Sequence, residues 1–197
     1  MEFSGWPVPV VRSAGRAFVA DLGPAGEREH AIGGELGLEV RGLPKQARKP
    51  LHRLLTVDVS DPRLRIRNAP CRLIPIVYGF VYDGCAMKYS VGKKGISIVE
   101  WRGEPMDGWP YADYPLHLPR VPCRLVRESR LDDQEAFDRI FWQGGVPPGQ
   151  DDFVVMIPPN EEYGVSLWGE DGDAEEVHVV ATVDTTNWVV NIGNECT

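Results

Sequence analysis

The sequence predicts an α+β domain, mainly antiparallel, and three observations predict it. Gly and Pro are both abundant, 21 and 17 in 197 residues, which favours many turns and short strands. Runs of β-branched and aromatic residues recur along the chain, several alternating with period two. One segment near residue 132 carries a helical pattern with a cap at each end. Residues 1–197 are read as one such domain: 43% hydrophobic and 25% charged residues are globular values, and the length is ample for a buried core.

The elements follow in order. "AFVADLG" (17–23) and "ELGLEVRGL" (35–43) read as short strands among glycines, and the basic, proline-broken "PKQARKPLHR" as a linker. "LLTVDVSDP" alternates through Leu55, Val57 and Val59 and is ended by Asp61-Pro62. "CRLIPIVYGFVY", "CAMKYSV" and "ISIVEW" predict an antiparallel meander over 71–101, turning at Asp83-Gly84 and at "GKKG", because Asp-Gly between such runs is a hairpin signal. Pro75 makes the first of these strands an edge strand or a bulged one. Residues 103–122 hold five prolines with Trp109, Tyr111 and Tyr114, which excludes regular structure; "CRLVRES" then returns to strand. The helix is placed at about 132–143, with Asp132 and Glu135 as a capping box and Gly144 at its end. "FVVMI", "YGVSLW", "EVHVVATVD" and "WVVNIG" close the chain as strands, the last two joined by a turn at Thr185–Asn187.

Charge bounds the partners. The net charge is -8 and the pI about 5.0, which argues against direct nucleic-acid binding, where cations must displace phosphate counterions. The distribution is uneven: residues 1–67 carry +3 and residues 68–197 carry -11. The last cation is Arg139, and residues 140–197 hold eleven acids with no base. Within that region Glu170, Asp171, Asp173, Glu175 and Glu176 form a dense acidic segment. Asp171-Gly-Asp173 lacks the remaining oxygen ligands of a calcium loop. The segment is a solvated turn or a surface for a basic protein or peptide, and the total lack of bases favours the partner, since a merely soluble surface mixes signs.

Cys71, Cys85, Cys123 and Cys196 are spaced by 14, 38 and 73 residues, which matches no zinc pattern, so no metal or cofactor is expected. No run of about 18 apolar residues occurs, and the N-terminal stretch lacks the charged-then-apolar order of a signal peptide. A cytoplasmic protein with reduced thiols and no membrane association is the expectation.

The segment "PLHRLLTVDVSDP" with "LIPIVYGF", and the proline- and aromatic-rich "WPYADYPLHLPRVPCRL", resemble the corresponding parts of YwqG-like proteins over residues 50–125. Those β-rich proteins have been grouped with the programmed-cell-death-protein-2 and Tsr4 family, dedicated chaperones of a basic ribosomal protein. The resemblance implies a binding fold and supplies no catalytic residues; the zinc finger of some eukaryotic relatives has no counterpart here.

Two classes of function compete. In the first, the chain is a non-enzymatic protein-binding module, immunity-protein-like or chaperone-like, whose acidic terminal third engages a basic protein. Trp109, Tyr111 and Tyr114 then supply buried contact, since aromatics on a proline-stiffened loop lose little entropy on binding; the same three rings would equally serve as a lid over the core. In the second, the chain is a hydrolase with a Cys85/His178 nucleophile pair, against which stands the ordinary role of a small buried thiol. His30, His52 and His117 carry no catalytic signature. Convergence of Cys85 with a His in one cleft discriminates the two.

Overall fold

A computed structural model describes residues 8–23, 26–141, 152–158 and 177–196. The predicted strand at 163–168, the cap at Gly144 and the acids from Glu170 to Glu176 lie outside the described residues. The strands are β1 (Val10–Ser13), β2 (Arg16–Leu22), β3 (Ala31–Ile32), β4 (Glu39–Arg41), β5 (His52–Asp58), β6 (Leu73–Tyr78), β7 (Tyr82–Val91), β8 (Gly95–Pro105), β9 (Val121–Arg127), β10 (Phe153–Ile157), β11 (Val177–Asp184) and β12 (Val189–Cys196). A helix, α1 (Gln134–Phe141), and two single 3-10 turns at Pro62–Leu64 and Ser129–Leu131 complete them.

The strands form one twelve-stranded mixed sheet in the order β4-β8-β7-β12-β11-β10-β1-β2-β9-β3-β5-β6. Only β4 against β8 is parallel among the described pairs. Among the described residues strand far outweighs helix, which is confined to α1 and the two 3-10 turns, so the fold is essentially all-β. This corrects the α+β expectation: the helical pattern near 132 yields only two turns, and they lie on one side of a sheet that makes the whole framework. Its cap also differs. Asp133 Oδ1 accepts the Ala136 N–H at 2.8 Å, while Asp132 accepts the Ala17 N–H at 3.0 Å and pairs with Arg127.

Local turn chemistry explains the connections. Ala14 and Gly15 both have positive φ, 49° and 68°, which gives the tight β1–β2 hairpin the backbone twist its strands need. The "GKKG" turn joins β7 and β8 as expected. Asp83-Gly84, by contrast, lies inside β7, where Gly84 has φ 59° and the register shifts between Asp83 and Ala86. It is a bulge rather than a hairpin turn, so the meander over 71–101 holds only for its second half. The chain turns earlier, with the Tyr82 N–H on the Gly79 carbonyl at 3.2 Å; β6 pairs with β5, and β7 with β8 and β12.

The sheet curls until its β6 end lies over β7. Tyr89 of β7, fully buried, accepts the Val77 N–H at 3.0 Å and donates to the Pro75 carbonyl at 3.0 Å. A side chain thus meets backbone groups that another strand would otherwise pair, and Pro75 sits on the terminal strand of the sheet as anticipated. Tyr78 donates to the Cys85 carbonyl at 2.9 Å. The enclosed core runs through both ends of the sheet, from Val11 and Phe18 to Leu55, Ile76, Tyr89, Val155 and Val190. On the outer face, Leu131 and Phe137 pack with Val10, Ala17, Val154, Met156 and Val180. No helix among the described residues is long and apolar enough to cross a membrane.

Candidate functional site

The irregular tract expected over 103–122 narrows to the β8–β9 connection, residues 106–120, because residues 103–105 extend β8 and Val121 and Pro122 begin β9; the connection is nonetheless tied down along its length. His52 is buried on β5 and donates from Nε2 to the Pro115 carbonyl at 2.8 Å. Leu118 is buried, and its carbonyl accepts the Gly34 N–H at 2.9 Å. Beside it, Gly33 has φ 63°, and a Cβ there would lie 2.0 Å from the Pro119 carbonyl oxygen, so only glycine permits this approach. Lys49 pairs with Asp107 at 2.7 Å at the outer edge.

Tyr114 is the inward anchor. Its ring meets His52 edge-on at 5.1 Å between centroids, Phe80 at 5.9 Å and Tyr111 at 5.0 Å. Such contacts add to the area that the ring buries. The Tyr114 hydroxyl is buried without a hydrogen-bond partner among the described residues, and burial, with Tyr111 beside it, pushes its pKa up. Trp109 is 37% exposed. Leu116 and Met106 of the same connection are also exposed. The two roles weighed for the three rings are therefore divided: Tyr114 and Tyr111 pack as a lid, and Trp109 is presented outward. Nothing described bears on the acids at 170–176.

Burial pushes the His52 pKa below its ordinary 6.5, against the Pro115 hydrogen bond and helped by His117. The neutral ring is favoured in the fold, so its stabilisation is complete above the unfolded value and is lost as pH falls below about 6.5, levelling off beneath the folded value. His52→Gln retains an N–H donor for Pro115 and cannot protonate. The wild-type urea midpoint is expected to drop further than that of the variant between about pH 7.5 and pH 5; equal drops would remove His52 from the acid response.

The proposed Cys85/His178 pair has no geometry to support it. β12 separates the strands that carry them, and β11 residues alternate between faces: Val179 and Ala181 point into the core that contains Cys85, whereas Val180 packs on the outer face. His178 shares the outer side with Val180 by the same period-two rule. Burial also pushes the Cys85 thiol up to about 12, against a hydrogen bond to Gly79, which disfavours the thiolate a nucleophile requires. Cys123 is likewise buried and raised to about 12 by burial. No group of three or more His, Cys, Asp or Glu among the described residues is arranged to hold a metal.

A polar cluster that the sequence did not announce lies after β5. His30 Nδ1 accepts the Asp58 N–H at 3.1 Å, and its Nε2 faces Asp61 Oδ2 at 3.4 Å. Arg63 Nε lies 2.9 and 3.1 Å from the two Asp61 oxygens, and its Nη2 lies 2.5 Å from Oδ2. Both His30 nitrogens are engaged, so the cluster holds the β5–β6 connection in place and leaves the imidazole no lone pair for a substrate. The Asp61-Pro62 turn start was the visible part of it. No family model, no curated protein and no solved structure matches the chain.

Proposed function

We propose that the chain is a non-enzymatic protein-binding module for a basic protein or peptide, acting as an immunity protein or a dedicated chaperone does. Trp109 is its buried anchor in the complex, and the acids of the terminal third steer the encounter. The observation that carries this reading is the loop at 106–120: Tyr114, Leu118 and the His52–Pro115 hydrogen bond fix it from below while Trp109 stays exposed above. A large aromatic side chain on a pre-organised support binds without the usual ordering cost. The eleven acids without a base after Arg139 supply the complementary charge, and such fields act mainly on association rate. The resemblance to YwqG-like proteins over residues 50–125 is consistent with a basic partner. The hydrolase alternative draws no support from Cys85, which packs in the enclosed core, or from His178, which alternation puts on the side of Val180.

The test is co-purification from the native cell, identification of the partner, and association kinetics at two salt concentrations. Trp109→Ala is expected to raise the dissociation rate by about tenfold or more with little salt dependence. Reversal of Glu170, Asp171, Asp173, Glu175 and Glu176 to Lys is expected to slow association by a similar factor, and wild-type association is expected to slow as salt screens the charges. An association rate indifferent to salt and to charge reversal would refute the steering role. An unchanged dissociation rate for Trp109→Ala would refute the anchor.

A further inference from the structure

The geometry points to a binding site for a nucleotide-sized organic phosphate in the cleft beside the β7–β8 turn, with its phosphoryl groups facing Arg53, Arg72, Lys93 and Lys94. This site goes beyond the protein-binding reading and has the opposite charge preference.

The chain is acidic overall, at -8, yet this cleft is basic. It encloses about 610 Å³ and is lined by those four cations and one acid, Glu29. Arg72 already pairs with Glu29 and Asp58. Lys93 and Lys94 stand exposed at the hairpin tip, where the Gly92 N–H closes the turn on the Gly95 carbonyl at 2.8 Å. Neither lysine has an ion-pair partner among the described residues. The fold thus concentrates like charges from three separate segments, and only Arg72 among them is paired with acids, an arrangement that costs stability unless an anion compensates the rest.

Arg53 sharpens the point. Its Nη2 donates to the Leu36 carbonyl, while its Nε is shielded from water and has no partner among the described residues. A desolvated guanidinium N–H without an acceptor is unfavourable. Burial, and then the repulsion from Arg120, lower the Arg53 pKa, so the same charge is poorly solvated and lies in a positive field. An anion in the cleft offsets that positive field.

The magnitude of the charge selects the ligand. The four lining cations against Glu29 give +3, or +2 with the Asp58 that pairs Arg72, which a di- or triphosphate matches better than a single carboxylate does. The volume lies within the ~300–1,000 Å³ of small-molecule sites and exceeds what a bare phosphate fills. Leu38, Leu73 and Pro75 form apolar wall for an uncharged body.

The experiment is calorimetric titration of the full chain with ADP, inorganic pyrophosphate and adenosine. ADP is expected to bind, pyrophosphate to bind more weakly, and adenosine not to bind measurably. Lys93→Ala with Lys94→Ala is expected to weaken ADP binding by about tenfold or more and to leave the ligand-free melting temperature near wild type, because both side chains are exposed. Lys88→Ala, at an exposed lysine paired with Glu100, is expected to change nothing. Failure of both phosphates to bind, or equal binding by the Lys93/Lys94 variant, would overturn the site. Pyrophosphate binding more tightly than ADP would overturn the role of the apolar wall.

Discussion

Tyr114→Ala is expected to cost about 3–5 kcal/mol of stability, the range for truncating a large aromatic in a core, whereas Tyr114→Phe should leave stability unchanged or slightly raised. The first expectation follows from three ring contacts, to His52, Phe80 and Tyr111, all of which the truncation removes. The second follows from the hydroxyl, which is buried without a partner among the described residues; removing a desolvated and unsatisfied group removes a penalty. Urea unfolding of the two variants separates these effects. A Phe variant as unstable as the Ala variant would show that the hydroxyl is hydrogen-bonded after all. A cost below about 1 kcal/mol for Ala would show that the ring does not anchor the loop. The same truncation should weaken partner binding through loss of pre-organisation, even though Tyr114 itself is turned inward.

What the sequence reveals is local, and what it conceals is the pairing of distant segments. The β7–β8 hairpin is legible because "GKKG" sits between two alternating runs, and Pro75 marks β6 as a terminal strand because a proline cannot donate to a ladder. Asp83-Gly84 misleads because the dipeptide supplies a positive φ, which a bulge requires as much as a hairpin turn does. β1, in the middle of the sheet, goes unseen because its hairpin is built on Ala14-Gly15, and alanine carries no turn signal. The helix is legible in sequence but does not define the class. An amphipathic pattern of eight residues says nothing of how many strands it accompanies, and here twelve strands make the frame.

The site divides in the same way. Prolines in 103–122 show that the loop is irregular over 106–120 but mislead at its ends, where Pro105 closes β8 and Pro122 lies in β9, and its aromatics show that it has contact area to offer. Which ring turns in is settled elsewhere, by the positions of His52 on β5 and Phe80 after β6. Tyr114 meets them and Trp109 does not. The basic cleft leaves even less trace, since its cations stand at 53, 72, 93 and 94 and only curling of the sheet brings them together. By contrast, the Cys85/His178 pair fails on a rule that strand alternation alone could have applied, had the registers of β7, β12 and β11 been known.

Arg63→Ala is expected to cost about 3–5 kcal/mol near neutral pH, more than Asp61→Asn, although both break the same pair. Asp61 is buried, whereas the Arg63 side chain is 47% exposed. Removing the arginine strands a carboxylate in the interior; neutralising the carboxylate leaves a guanidinium that water can reach. Burial alone would raise the Asp61 pKa, but the Arg63 side chain and N–H, with His30, hold it down at about 2 against an ordinary 3.8. A depressed carboxylate stabilises the fold fully above about pH 3.8, and that contribution, on the order of 2 kcal/mol, is lost as pH falls toward 2. The stability gap between wild type and Asp61→Asn should therefore narrow across that window. His30 responds in the same sense but at higher pH. Burial holds its pKa below 6.5 despite Asp61, so it disfavours the fold as pH falls below about 6.5. In Arg63→Ala the nearby cation is gone and Asp61 remains, so the His30 pKa should rise, and part of the lost stability should return on acidification toward about pH 5. Unfolding midpoints of wild type, Arg63→Ala and Asp61→Asn across about pH 2–8, with the His30 ring signals followed by NMR, test the assignment. A His30 pKa unmoved in Arg63→Ala, or a cost no greater than that of Asp61→Asn, would mean that the arginine does not hold the buried carboxylate in its charged form.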